Sequence, residues 1–191
     1  QAQFVTIPDT NFRKRLIELC PTCFNATKQM DTTCNGVVNL TELDVSERNI
    51  NNLIGVQFFD KLILLQCNSN QLAILPKLPS SLQVLFCQGN QLTILPTLSN
   101  SLFFLDCQGN QLTSLPKLPD SLKQLNCSNK QLDRLPTLPK GIQELACDLN
   151  QLSSLPTLPN SLNSLYTSSN QLTILPALSD SLKMLDCSVN Q

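Results

Sequence analysis

From Leu62 onward the chain repeats itself every 20 residues. The unit reads L-x-x-L-x-C-x-x-N-Q-L-x-x-L-P-x-L-P-x-S, and Leu82, Leu102, Leu122, Ile142, Leu162 and Leu182 open the later copies. A unit this short cannot bury its own apolar face, so it must stack on its neighbours. The period therefore forces a quasi-linear pile of coils. Such a pile presents a long surface, and the first functional expectation is binding.

Within each unit the spacing divides the work. Leu-x-x-Leu-x-Cys has the period of a strand, so Leu85 and Cys87 point inward while Val84 and Phe86 point outward. Successive strands should lie parallel, about 4.8 Å apart, in a sheet roughly 35 Å across. The return segment, as in Leu95-Pro96-Thr97-Leu98-Ser99, is rich in proline. Proline fixes φ and removes a donor, so extended polyproline-like backbone is expected there and not helix. Together these features specify a right-handed leucine-rich repeat solenoid of the α/β class. Its parallel sheet is concave, its return segments convex, and a short helical cap precedes it.

Residues 1–39 form that non-repeating cap and residues 40–191 about eight repeats. The first repeat, from Leu40, is two residues longer, with Leu43, Val45 and Ile50 matching Leu65, Cys67 and Leu72. The last, from Leu182, is partial. In the leader, Phe12, Leu16, Leu19 and Cys20 have helical spacing, and Asp9 is placed to cap the helix. Arg13-Lys14-Arg15 reads as a solvated helix face. Gln1-Ala2-Gln3 suggests the start of a mature or trimmed chain.

Asn70, Asn90, Asn110, Asn150, Asn170 and Asn190 stand where each strand ends. A short amide there can bridge the backbone of adjacent turns. Lys130 interrupts this column, as does Arg48, and weaker local order is expected near Lys130. The glutamines that follow, Gln71 to Gln171, read as a second structural amide column.

Nine cysteines are present. Cys67, Cys87, Cys107, Cys127, Cys147 and Cys187 occupy one inward column, broken by Thr167. Parallel strands aim their Cβ atoms the same way, which suits neither disulfides nor a tetrahedral metal, so these thiols read as small buried hydrophobes. Cys20, Cys23 and Cys34 lie in the leader, where a bridge from Cys20 or Cys23 to Cys34 would staple the cap. Asp31, Thr33, Asn35 and Asn39, with Gly36 at the turn and Glu42 at the twelfth position, have the spacing of an EF-hand calcium loop. Only two of those ligands are carboxylates. Calcium is the one cofactor the sequence suggests.

The chain holds 13 basic and 14 acidic residues and no histidine. That balance argues against nucleic acid, and no apolar run is long enough to enter a membrane as a spanning helix. Without histidine the commonest general base is missing. There is also no nucleophile–base constellation or phosphate loop, so catalysis is not expected.

The L-P-x-L-P unit, as in Leu112-Thr113-Ser114-Leu115-Pro116-Lys117-Leu118-Pro119, resembles the repeats of secreted bacterial effectors of the YopM and IpaH type. The leader, through Phe4-Val5-Thr6-Ile7-Pro8-Asp9-Thr10-Asn11-Phe12 and Leu43-Asp44-Val45-Ser46, resembles secreted leucine-rich-repeat proteins of Bacteroidetes. Cysteine in the inward column favours the latter comparison. The resemblance implies secretion or display on a bacterial surface and recognition of a protein or peptide. The ubiquitin-ligase domain of IpaH-like proteins has no counterpart in the sequence, so that activity is not carried over.

The outward strand positions define the concave face. Leu64, Val84, Phe86 and Phe104 should merge into one apolar patch, flanked by Phe103 and Asp106, with Tyr166 further along. Exposed contiguous apolar area marks interaction sites. Two alternatives stand beside partner binding. One is homotypic association through the C-terminal edge strand, since the chain stops inside a repeat at Gln191; the other is glycan recognition.

Overall fold

The computed structural model describes residues 2–128 and 131–191. A two-stranded antiparallel hairpin, β1 (Phe4–Val5) with β2 (Met30–Asp31), brackets helix α1 (Thr10–Leu19). A single helical turn, α2 (Asn35–Val38), leads into the main sheet. Its eight strands are β3 (Glu42–Asp44), β4 (Leu64–Gln66), β5 (Val84–Phe86), β6 (Phe104–Asp106), β7 (Gln124–Asn126), β8 (Glu144–Ala146), β9 (Ser164–Tyr166) and β10 (Met184–Asp186). They lie in sequence order and all pair in parallel. No helix or strand interrupts the proline-rich return segments of the six 20-residue units.

Equal repeat length makes the register exact from coil to coil. Leu43 pairs with Leu65, Leu65 with Leu85 and Leu85 with Leu105, and so on to Leu185. A one-residue slip would turn every inward leucine to solvent. Leucines of the strand, the turn and the return segment close one continuous core that runs from Ile7 in the leader to Leu172. The leader is thus packed onto the repeats and not separate from them.

Asp9 caps α1, its carboxylate accepting the Phe12 N–H at 2.8 Å. Its other oxygen accepts the Asn51 N–H at 2.9 Å, tying the helix to the first repeat. Phe12 and Leu16 are buried, but Leu19, at the last turn, is exposed. The basic run is not simply solvated. Arg13 donates to the Ile7 carbonyl and Arg15 to the Asp44 carbonyl, leaving Lys14 as the exposed member.

Cys23 and Cys34 form the leader disulfide and Cys20 stays a thiol, donating to the Gly36 carbonyl. A Cβ on Gly36 would stand 2.9 Å from Cys23 Sγ and 3.1 Å from Cys20 Sγ, so only glycine lets α2 lie this close. Closing a loop of 11 residues constrains the unfolded chain. We expect Cys34→Ser, in a Cys20→Ser background that blocks re-pairing, to cost about 2–3 kcal/mol. Urea titration of the two variants measures it, and equal midpoints would show that the bridge does not staple the cap.

The asparagine column works as the sequence suggests. Asn110 Nδ2 donates to the carbonyls of Cys87 and Cys107, and Asn110 Oδ1 accepts the Leu92 N–H, each at 3.0 Å. Asn90, Asn150 and Asn170 repeat this pattern. Lys130 lies outside the described residues. The glutamines contribute mainly through the backbone, Gln91 N–H donating to the Leu72 carbonyl, while their side chains face solvent.

One position before each asparagine of the column, and before Arg48 in the first repeat, the backbone is left-handed. Glu47, Ser69, Gly89, Gly109, Leu149, Ser169 and Val189 all have φ between 53° and 64°. Such a φ strains residues with a Cβ and favours glycine. Only two of these seven are glycine.

The inward thiols of Cys67, Cys87, Cys107, Cys127 and Cys147 are fully buried and unpaired with one another. The first four donate to the carbonyl of the next strand at 3.4–3.5 Å. Burial pushes Cys67 and Cys147 up to about 12. Thr167 sits in the same column, fully buried, and its hydroxyl has no hydrogen-bond partner of good geometry. The Cys147 thiol, a weak acceptor, lies within reach of that hydroxyl. Thr167→Cys should therefore raise stability by about 1 kcal/mol, read by thermal melting. An unchanged or lower Tm would mean that the hydroxyl is satisfied in solution.

Candidate functional site

The alternation of each strand sets the concave face. In β4 to β9 the middle leucine is buried and its neighbours are half-buried and turned outward, with one exception. Register places Leu64, Val84, Phe104 and Gln124 in one row across the sheet, and Gln66, Phe86, Asp106 and Asn126 in the next. Phe86 and Phe104 are diagonal neighbours across these rows. Their ring centroids are 4.8 Å apart at an interplanar angle of 43°, within the range of favourable aromatic pairs.

Asp106 is the exception. It is only 8% exposed, although it occupies an outward position beside Phe86. Its Oδ1 accepts the Gln108 N–H at 3.2 Å, and Asn126 lies against it on β7. Burial pushes its carboxyl above the ordinary value, against the pull of those hydrogen bonds. Neither alternation nor spacing reveals this burial, since by alternation Asp106 points outward like its register partner Phe86.

Five of the expected contact residues are thus brought together: Leu64, Val84, Phe86, Phe104 and Asp106. Phe103 lies one residue before β6, 40% exposed, and makes no ring contact with the pair. Tyr166 is on β9, beside Ala146 and Asp186, three strands and about 15 Å from the aromatic pair. Towards the C-terminus the face becomes polar. Gln124 donates to Glu144 at 3.0 Å, and Asp148 accepts the Ser168 N–H and hydroxyl at 2.7 and 2.9 Å.

The residues with calcium-loop spacing run from β2 through α2 to β3. Residues 35–38 are helix α2, with Gly36 inside it, and Cys34 is tied to Cys23. Asp31 accepts from Thr33, Asn39 accepts from the Lys61 ammonium at 2.8 Å, and Glu42 belongs to β3. Among the described residues no group of three or more Cys, Asp or Glu side chains is placed to hold a metal ion. The Cys23–Cys34 disulfide ties this segment to the cap. Among the same residues no helix is long and apolar enough to cross a membrane.

No family model matches the sequence, and no curated protein matches it. Solved structures do. YopM from Yersinia enterocolitica shares 39% identity over 81% of this chain, with a TM-score of 0.78, and the chain spans 34% of that protein. The leucine-rich repeat domain of a Shigella effector matches at 29% identity over 90% of this chain and 71% of its own, with a TM-score of 0.73. InlJ from Listeria monocytogenes, whose functional domain includes a cysteine ladder, matches at 27% identity over the whole chain and 49% of its own length, with a TM-score of 0.64. The buried thiol column has its parallel there. The fold is that of a leucine-rich repeat solenoid resembling bacterial effectors and internalins.

Proposed function

We propose that the chain is a non-enzymatic binding module of a secreted or surface bacterial protein, and that it recognises a protein or peptide through its concave face. The observation that carries this is the Phe86–Phe104 pair, half-buried and unpartnered on an otherwise regular sheet. The inward columns explain the fold without these rings, so the fold does not require them. Aromatic side chains of this kind dominate interface energies. Likeness to effectors and internalins supports the bacterial context, and the leader's resemblance to secreted Bacteroidetes proteins supports export.

The test is affinity for peptides selected on the wild-type chain. Phe86→Asp and Phe104→Asp should each weaken binding about 30-fold, with far-UV circular dichroism unchanged. Unaltered affinity in both variants rejects the concave site.

A further inference from the structure

The charge on the concave face is one-sided. The outward columns of the eight strands, with the position two residues beyond, carry Glu42, Asp44, Asp106, Glu144, Asp148 and Asp186, and no lysine or arginine. In the sequence the basic residues fall at other positions, Lys123 and Lys183 one residue before β7 and β10, as Phe103 is before β6. Among the described residues the ion pairs are Arg15–Glu18, Arg48–Glu18 and Arg134–Asp133, none on this face. Arg15 and Arg48 come near Asp44 alone.

Asp106 is the sharpest case. Aspartate is almost never this buried unless paired, and no cation among the described residues faces it. Its one backbone hydrogen bond does not explain the charge. Asn126, the next residue in the row, accepts the equivalent N–H, from Ser128, with a neutral amide. Gln66, Phe86, Ala146 and Tyr166 hold the same column with no charge, while Asp44 and Asp186, at the two end strands, are exposed carboxylates that each accept a serine N–H and hydroxyl. After Asp106 the residue two ahead is Gln108, without a hydroxyl, so this turn needs one acceptor only, and a buried carboxylate against the aromatic pair is surplus to it.

We propose that the concave face binds a basic peptide segment in which an arginine or lysine stands beside an apolar side chain, the cation settling on Asp106 and the apolar group on Phe86 and Phe104. This rests on the concave-face reading above and adds the chemistry of the partner. The cation completes the pair that Asp106 lacks among the described residues, beside two rings whose quadrupoles also attract it. Glu144 and Asp148 extend the negative potential along the groove and speed encounter.

The experiment pans a random phage-displayed peptide library on the 191-residue chain, then measures selected peptides against wild type, Asp106→Asn and Phe86→Asp. Selected peptides should be enriched in Arg or Lys next to Phe, Leu, Ile or Met. Their affinity should fall about tenfold in Asp106→Asn and weaken with added salt. Replacing the peptide's cation by glutamine should cost wild type heavily and Asp106→Asn little. The free Asp106→Asn chain should melt higher than wild type, because an unpaired buried charge is gone; a residue serving only the turn would not stabilise when neutralised. Peptides that lose binding in Phe86→Asp but show no basic enrichment and ignore Asp106→Asn overturn this inference and leave the concave site standing. Peptides indifferent to Phe86→Asp, or a library that yields none, overturn both.

Discussion

Asn110→Ala is expected to cost about 3–4 kcal/mol, more than its modest size suggests. The side chain satisfies three buried backbone groups at once, the carbonyls of Cys87 and Cys107 and the N–H of Leu92. Alanine leaves a donor and two acceptors short of partners in a turn that water cannot easily reach, and each such group costs about 1–3 kcal/mol. Partial compensation, because a carbonyl has two lone pairs, keeps the total near the lower end of the sum. Asn110→Asp is the informative control. It retains the acceptor for Leu92 but sets a carboxylate against two carbonyl oxygens, so it should be no more stable than the alanine variant. Chemical denaturation decides the matter, and a loss under about 1 kcal/mol in both would mean that solvent replaces the amide.

Leu105→Ala should cost about 2–5 kcal/mol by opening a cavity in the middle of the stack. Leu105 is fully buried and in register between Leu85 and Leu125. Coils contact only their neighbours, so the damage also weakens the coupling between the two halves. The unfolding transition should broaden, with a lower apparent m-value, as the halves melt more independently. Phe104→Ala, the adjacent residue on the same strand, should change stability by under about 1 kcal/mol while weakening binding. One residue of strand thus separates a substitution that harms the fold from one that harms recognition. Similar stability losses in the two variants would contradict that division.

Most of the scaffold was legible in the sequence because each inward column repeats one chemical type. Leucine at Leu65, Leu85 and Leu105, cysteine beside it and asparagine at the turn identify strand, core and bridge, and equal spacing fixes the register. The left-handed turn residues were not legible, because Ser69, Gly89, Leu149 and Val189 share a backbone conformation and no side-chain chemistry. Arg13 and Arg15 read as solvated because their carbonyl partners, at Ile7 and Asp44, are set by how the leader folds back. For a related reason the spacing of residues 31–42 does not record that Cys34 is tied to a cysteine 11 residues earlier. At the concave face, the sequence located the aromatic patch, since outward positions follow from alternation. It did not show that Asp106 is buried, which arises from packing between neighbouring coils.

The column of thiols carries a practical consequence. Burial raises the pKa values of Cys67, Cys87, Cys107, Cys127 and Cys147, to about 12 at Cys67 and Cys147, so at pH 8 an alkylating reagent meets almost no thiolate at these five positions of the folded chain. Each cysteine becomes reactive only when its own coil opens. Pulse alkylation followed by peptide mapping would date the opening of five successive coils separately, in the unsubstituted protein and without added probes. The stack thereby contains its own reporters of where unravelling begins and in which direction it spreads.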